Sequence, residues 1–271
     1  MTKIVAEFAS GHGADLEMGK ALIRAAKESG ADIGKWQSWK AEYVKDSDPD
    51  KARYQKYELT DEIHWELKKY SDEIGLEFLT TVTRPERIPF LKSLGLKKVK
   101  IASVSLSNTE LIKAAVENFE EVIASTAMQD KQTILTAGLI LRPSDTLMVC
   151  TALYPCPLQH ANLERLNWFK DIHASVGYSD HTYGIEAPIV AMSMGITYLE
   201  KHFTLSKYLP QTKHQMYENG PYITTHQVAN EPSVFKEINK WRTIINKIKG
   251  DVTFKLHPEE ELIKQRYSGR Y

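Results

Sequence analysis

Short apolar segments alternate with longer amphipathic segments along most of the chain. Each apolar segment is only a few residues long and is followed by polar residues, which is typical of buried strands in a parallel sheet. Eight such strands are predicted. They are Ile4–Phe8, Asp32–Trp36, Leu76–Leu79, Lys98–Ile101, Glu121–Ala124, Leu147–Thr151, Ser175–Tyr178 and Thr197–Glu200.

The amphipathic segments have apolar residues at helical spacing and carry start and stop signals such as Thr60 before one helix and Gly75 after it. The predicted helices are Asp15–Ser29, Thr60–Ile74, Arg84–Gly95, Asn108–Val116, Leu163–Ile172, Gly184–Met194 and Val234–Lys249. Three stretches lack a clear period and are predicted as irregular: residues 46–57, the polar linker between the fifth and sixth strands, and residues 207–232.

Eight strands that alternate with helices favour the α/β class and, within it, a closed (β/α)8 TIM barrel. The first strand lacks the Gly-rich fingerprint of an open dinucleotide-binding sheet, which weighs against that alternative. A chain of 271 residues is long enough for one large core. We therefore expect a barrel domain over residues 1–250 and a charged tail over residues 251–271.

Composition excludes some classes of partner. The 35 basic and 35 acidic residues cancel, so nothing favours non-specific binding to nucleic acid or to an anionic membrane. Cys150 and Cys156 match neither a disulfide framework nor a structural zinc site, which suggests a reducing compartment. The amino terminus is too short and too soon charged for a signal peptide, and no apolar run approaches membrane-spanning length. A cytoplasmic protein is predicted.

Polar residues follow the carboxyl end of nearly every predicted strand. A barrel brings these positions to one rim, which is where such folds keep their active sites. The set is Glu7, Lys35, Gln37, Thr81, Lys100, Ser103, Ser125, Tyr154, Ser179, His181 and His202. Two ammonium groups surrounded by hydroxyls would suit a small phosphorylated or carboxylated molecule.

His181 and His202 follow the seventh and eighth strands, so their imidazoles could share a divalent cation that keeps open positions for water or substrate. Each histidine alone is more often a hydrogen-bonded rim residue, a lone lysine is more often solvated, and a lone hydroxyl is more often a helix cap. The convergence of the whole set favours the functional interpretation.

Eight motifs, in order over roughly residues 4–210, resemble the barrel domain of the N-acetylneuraminate (sialic acid) synthase family. Two of them are specific signals, Gly-Tyr-Ser-Asp-His-Thr at 177–182 and Glu-Lys-His-Phe at 200–203. The others are Ile-Val-Ala-Glu (4–7), Gly-Lys-Trp-Gln (34–37), Glu-Phe-Leu-Thr-Thr (77–81), Lys-Ile-Ala-Ser (100–103), Ala-Ser-Thr-Ala-Met (124–128) and Cys-Thr-Ala-Leu-Tyr-Pro (150–155).

The resemblance implies a transferase that condenses phosphoenolpyruvate with the aldehyde of an amino sugar and yields a 2-keto-3-deoxy sugar acid and phosphate. It implies that Lys35, Thr81, Lys100, Ser103, Ser125 and Ser179 bind phosphoenolpyruvate. It also implies that His181 and His202 hold a Mn²⁺ or Mg²⁺ ion, that Glu7 handles the water or proton transfers, and that Gln37 and Tyr154 contact substrate. These residue types suit the chemistry, since a trianion needs positive charge and a developing alkoxide needs a cation.

Departures from the family pattern concern the acceptor sugar. Ser105 stands where the family usually has an acidic residue, and Lys213 replaces another carboxylate, so an acceptor other than N-acetylmannosamine is predicted, and a phosphorylated or carboxylated one is compatible. The family's small antifreeze-like domain is expected to be absent, which leaves the family's usual homodimer open. Two alternatives remain: a metal-dependent keto-acid aldolase or lyase, and a non-catalytic truncated paralogue.

Overall fold

Eight parallel strands close into a barrel in the computed structural model of the chain, which describes residues 1–208, 228–250 and 255–269. Neighbours in sequence are neighbours in the sheet, and β8 pairs with β1 to complete the closure. The strands are β1 (Lys3–Glu7), β2 (Ile33–Ser38), β3 (Glu77–Val82), β4 (Lys98–Ile101), β5 (Glu121–Ser125), β6 (Thr146–Cys150), β7 (Val176–Asp180) and β8 (Tyr198–His202). The predicted (β/α)8 barrel is confirmed.

Helices surround the barrel, and several begin where the sequence carries a cap. The side chains of Asp15, Thr60 and Asn108 accept backbone N–H bonds at the starts of α1, α3 and α5 in the list below. The helices are α1 (Leu16–Glu28), α2 (Lys51–Tyr57), α3 (Asp61–Ile74), α4 (Ile88–Ser93), α5 (Thr109–Asn118), α6 (Lys131–Ile140), α7 (Arg165–Ile172), α8 (Glu186–Ser193), α9 (Pro232–Lys249) and α10 (Pro258–Tyr267). None of these described helices is both long and apolar enough to cross a bilayer.

Two segments predicted as irregular are helical. The linker between β5 and β6 contains α6, which begins at the N-cap Asp130, and residues 46–57 contain α2. The predicted helix Arg84–Gly95 is instead a 3₁₀ turn at Pro85–Arg87 followed by the short α4. Most of the predicted 207–232 loop lies outside the described residues. The charged tail contains α10, whose residues are all exposed.

Alternation along the strands produces two apolar layers. One set of side chains, including Trp36 and Phe203, packs outward against the helices. The other set fills the interior of the barrel and consists of Val5, Ile33, Leu79, Ile123, Met148 and Tyr198. Because successive residues of a strand point to opposite sides, the interior residues two positions further along each strand lie just above this apolar layer, at the carboxyl ends.

The amino-terminal end of the interior is closed by charged side chains. Lys98 Nζ lies 3.0 Å from a Glu77 oxygen and 3.2 Å from a Glu121 oxygen, and the Tyr198 hydroxyl donates to Glu121 over 3.0 Å. On the outside of the same end, Arg242 of α9 donates to the Thr2 carbonyl over 3.2 Å and pairs with Asp32. Both networks leave the carboxyl-terminal end as the end where a site can open.

Candidate active site

Two lysines and two carboxylates form a buried network inside the carboxyl-terminal end of the barrel. Lys100 Nζ on β4 lies 2.6 Å from an oxygen of Glu200 on β8. Lys35 on β2 pairs with Glu7 on β1 and lies 3.5 Å from the other Glu200 oxygen. Since β4 and β8 are on opposite sides of the barrel, these contacts run through its interior. All four side chains are less than one tenth exposed.

Burial and pairing shift the protonation of this network. Burial alone would raise the carboxyl pKa of Glu200, but Lys100 and Lys35 outweigh it and hold that pKa at about 2. Burial likewise opposes the charge of Lys35, yet the attraction of Glu200 and Glu7 raises the pKa of Lys35 above its ordinary value. Burial lowers the pKa of Lys100. Glu200 is therefore the ionised centre of the network.

Glu7 behaves differently from Glu200. Burial raises its carboxyl pKa above the ordinary value, although Lys35 acts in the opposite direction. Its Oε1 accepts hydrogen bonds from the Gln37 side chain and from the backbone N–H of Ala9, each over 2.9 Å. A carboxyl group that is fixed in position and more easily protonated than usual is suited to proton transfer.

His181 and His202 lie beside this network, as the sequence predicted. Their ring centroids are 5.4 Å apart, and the ring of Tyr154 lies 4.1 Å from that of His181. His181 Nδ1 is 2.7 Å from the Thr151 carbonyl oxygen, so this nitrogen carries the proton and Nε2 keeps its lone pair. Burial lowers the pKa of His181 to about 4, which makes the ring neutral near pH 7.

The predicted hydroxyl side chains divide into two groups. Thr81, Ser125 and Ser179 are buried at the ends of β3, β5 and β7, and Ser179 Oγ donates to Glu200 over 3.3 Å. Ser103 instead stabilises loops at the rim: its Oγ accepts from the Ala127 backbone over 3.0 Å. Ser179 thus contacts the charged network directly, Thr81 and Ser125 are buried at the same end of the barrel, and Ser103 is half-buried at the rim.

Ser105 and Lys213 were predicted to affect the choice of acceptor sugar. Ser105 ends a 3₁₀ turn at Ser103–Ser105, just beyond β4, and is half-buried. Lys213 lies outside the described residues.

Glu200 is the central residue that the sequence interpretation did not assign. It stands in the motif Glu-Lys-His-Phe, of which the sequence pattern points only to His202 as a site residue. Strand alternation was the available signal, because residues 200 and 202 point to the same side of β8. Cys150 also faces this interior, with its Sγ 3.9 Å from His181 Nδ1, and burial raises the pKa of its thiol to about 12.

The residues present fit a loosely held divalent cation. Two imidazoles at this separation could contribute two nitrogen ligands and leave the other positions to water or substrate. No group of three or more His, Cys, Asp or Glu side chains within the described ranges is arranged to hold a metal ion. The described side chains therefore do not form a structural metal site in which every ligand comes from the protein.

The sequence relationship agrees with this geometry. Residues 22–220 match the model of the NeuB family. The chain belongs to the NeuB family. It is 37% identical over 235 residues to an N,N′-diacetyllegionaminic acid synthase of Legionella pneumophila, which covers 78% of this chain and 66% of the relative. A Campylobacter jejuni protein of the same name is 33% identical and covers 96% of this chain and 81% of the relative. The chain thus spans about two thirds of the length of the Legionella relative.

The fold is similar to that of a solved sugar-acid synthetase. The crystal structure of an N-acetylneuraminic acid synthetase from Leptospira borgpetersenii, in complex with citrate, superposes with a TM-score of 0.87 at 27% identity. The match covers 99% of this chain and 92% of that one. The predicted family resemblance is confirmed.

Proposed function

We propose that this NeuB family chain catalyses the condensation of phosphoenolpyruvate with the aldehyde of an amino sugar. C3 of the enol forms a bond to the aldehyde carbon, whose oxygen takes up a proton. The hydroxyl of water bonds to C2, and the bond between C2 and the phosphate oxygen then breaks. Phosphate leaves with the electron pair and takes the proton of the C2 hydroxyl, whose oxygen becomes the ketone oxygen. The products are a 2-keto-3-deoxy sugar acid and phosphate. The observation that carries the proposal is the buried network of Lys35, Lys100, Glu7 and Glu200 beside two histidines.

The lysines supply the positive charge that a phosphoenolpyruvate trianion needs. In the structure Glu200 and Glu7 balance this charge. A bound substrate anion must therefore pair with the lysines in place of some of these carboxylate contacts. Thr81, Ser125 and Ser179 lie at the ends of the alternate strands β3, β5 and β7 and can donate to its carboxylate or phosphate oxygens. Ser103 can contribute only from the rim.

Glu7 is the group we assign to proton transfer. Burial raises the pKa of this carboxyl, so it takes up a proton more readily than an ordinary carboxyl, and Gln37 and the Ala9 backbone fix its Oε1. We place Gln37 and Tyr154 against the substrate. The reaction requires one proton for the aldehyde oxygen and removes one from the attacking water, and a single buried carboxyl can do both in turn.

His181 and His202 would hold a Mn²⁺ or Mg²⁺ ion, which would supply Lewis-acid polarisation of the aldehyde oxygen. The chain's own contribution is to keep the His181 ring neutral and oriented, through its burial and the Nδ1 bond to Thr151. We place the activity in the cytoplasm, because both cysteines are free and buried thiols, as is usual in a reducing compartment.

The acceptor is proposed to differ from N-acetylmannosamine. Ser105 follows β4 at the rim. The family usually has an acidic residue at this position, which could bind sugar hydroxyl groups, and a serine cannot replace that charge. The names of the two synthases described above make a sugar aldehyde with two acetamido groups the first candidate. Phosphorylated and carboxylated amino sugars form the second group to be tested.

The test is aldehyde-dependent release of phosphate from phosphoenolpyruvate in the presence of Mn²⁺. We expect release with at least one amino sugar and none without an aldehyde. Lys100→Met should lower kcat/KM for phosphoenolpyruvate by at least ~100-fold, because a buried charge-assisted contact is lost.

Lys98→Met provides a matched control on the same strand. Lys98 also faces the barrel interior, but at the amino-terminal end, so its loss should leave KM for phosphoenolpyruvate unchanged. Equal effects of the two substitutions would contradict the proposed donor site. Release of pyruvate from a keto acid, without any phosphate release, would favour an aldolase instead.

A further inference from the structure

A second buried ion pair lies on the outer side of β7 and β8, behind the two histidines. Lys201 Nζ is 2.5 Å from Asp180 Oδ2, and both side chains are fully buried. The two residues face each other in the register of the sheet. They do not contact the interior network, because strand alternation places them between the barrel and the helices.

This pair holds the backbone on both sides of His181. Asp180 precedes the histidine, and its Oδ1 accepts the backbone N–H of Thr182 over 3.0 Å. Lys201 donates to the Thr182 carbonyl over 2.7 Å. The Tyr178 hydroxyl donates to the same Asp180 oxygen over 3.1 Å. Both backbone groups of the residue after His181 are therefore bound to one ion pair.

The same pair is also adjacent to the second histidine. Lys201 immediately precedes His202 on β8, so its side chain ties the end of β8 to the turn that follows β7. A displacement of either partner would change the separation of the two imidazoles, which is 5.4 Å between ring centroids.

Stability alone is a poor reason for such a pair. The desolvation of two buried charges consumes most of the energy of their attraction, and apolar residues of similar volume often replace buried pairs without loss of stability. A pair that is buried, hydrogen-bonded to the backbone and joined to both histidine-bearing segments is better explained by the geometry that it fixes.

We infer that Asp180 and Lys201 are positioning residues that set the separation and orientation of His181 and His202 for a divalent cation. This inference rests on the proposed function, in which those histidines hold the ion. It adds that their geometry depends on an ion pair that touches neither the ion nor the substrate.

The test compares single and double substitutions by calorimetric titration with Mn²⁺ alone and by thermal unfolding. Asp180→Asn and Lys201→Met should each lower the unfolding midpoint, because each leaves a buried charge unpaired. The double variant with Asp180→Leu and Lys201→Met should recover much of that midpoint, yet its Mn²⁺ affinity should stay roughly 10–100-fold below that of the unaltered protein.

A matched control lies on the same strand. Tyr198→Phe removes the hydroxyl that bonds Glu121 and Lys98 at the other end of β8, so it perturbs β8 far from the histidines. We expect Mn²⁺ affinity equal to that of the unaltered protein. The proton on His181 Nδ1 gives a metal-free measurement, since its downfield NMR signal should persist in Tyr198→Phe and be lost in the double variant.

The outcomes separate the two levels of the proposal. Tight Mn²⁺ binding and an unchanged Nδ1 signal in the double variant would overturn the positioning role and leave the proposed function intact. Failure of the unaltered protein to bind Mn²⁺ would overturn both. If the double variant does not fold, Asp180→Asn decides the matter, because it keeps the side-chain shape: unchanged Mn²⁺ affinity in that variant refutes the inference, and weakened affinity supports it.

Discussion

Glu200→Gln tests the charge balance on which the candidate site depends. The substitution keeps the size of the side chain and removes its charge. Lys100 and Lys35 then lose an ionised partner at 2.6 Å and 3.5 Å. Both ammonium groups stay buried, so water cannot replace the missing charge. We expect a less stable protein that binds anions more strongly.

The pKa of Glu200 gives the magnitude. A carboxyl whose pKa falls from the ordinary 4.5 to about 2 on folding gains about 3 kcal/mol of stability at neutral pH, because each pKa unit corresponds to ~1.4 kcal/mol. This value agrees with the ~3–5 kcal/mol cost of removing one partner from a buried pair. For a chain of this size it corresponds to a decrease of roughly 6–12 °C in the unfolding midpoint.

The assay is thermal unfolding with and without inorganic phosphate, with Glu121→Gln as the control. Glu121 contacts Lys98 over 3.2 Å at the opposite end of the barrel interior and is more exposed than Glu200. The control should lose less stability than Glu200→Gln, and phosphate should shift its midpoint as it shifts that of the unaltered protein. In Glu200→Gln phosphate should give a larger upward shift, since two unpaired lysines remain to bind it.

Two results would refute this reasoning. If Glu200→Gln is as stable as Glu121→Gln, the carboxylate does not stabilise the buried lysines. If phosphate shifts the midpoints of Glu200→Gln and the unaltered protein equally, those lysines do not form an anion site.

Three further predictions follow from individual contacts. The difference in unfolding free energy between the unaltered protein and Glu200→Gln should be constant well above pH 4.5 and shrink as pH falls from there towards 2. The reason is that the unfolded carboxyl takes up its proton near the ordinary pKa of 4.5, whereas the folded carboxyl does so only near 2. A pH-independent difference in chemical denaturation would contradict this. Alkylation of Cys150 by iodoacetamide at about pH 8, followed by mass spectrometry, should be far slower in the native than in the unfolded protein. A thiol pKa of about 12 leaves roughly 1,000-fold less thiolate than an ordinary thiol, so rapid labelling of the native protein would contradict the raised pKa. Gly177→Ala should cost ~1–3 kcal/mol in chemical denaturation, because the new Cβ would lie 2.9 Å from Met148 Cγ and 3.0 Å from the Tyr198 carbonyl oxygen; unchanged stability would mean that β7 and β8 can separate.

Local sequence pattern was sufficient for the strands and for the strongly capped helices. All eight predicted strands overlap the observed ones, because a strand buried on both faces reads as a short apolar run wherever it lies in the chain. The sequence does not predict α6 because Lys131–Ile140 lacks a clear apolar stripe. The one start signal in the sequence is Asp130, which in the structure caps the helix by accepting the Thr133 backbone N–H. Tertiary packing against the barrel, rather than amphipathic pattern, explains that helix.

The sequence by itself determined the barrel, the rim that carries the candidate site, and most of the residues at that rim, because strand ends in a parallel barrel converge regardless of side-chain detail. Only the tertiary structure decided which charges face each other. Glu200 and Lys201 are neighbours in one motif, yet Glu200 points inward to Lys100, and Lys201 points outward to Asp180. Pairing across a closed barrel depends on strand tilt and register, which bring together residues 100 positions apart and which no local pattern encodes.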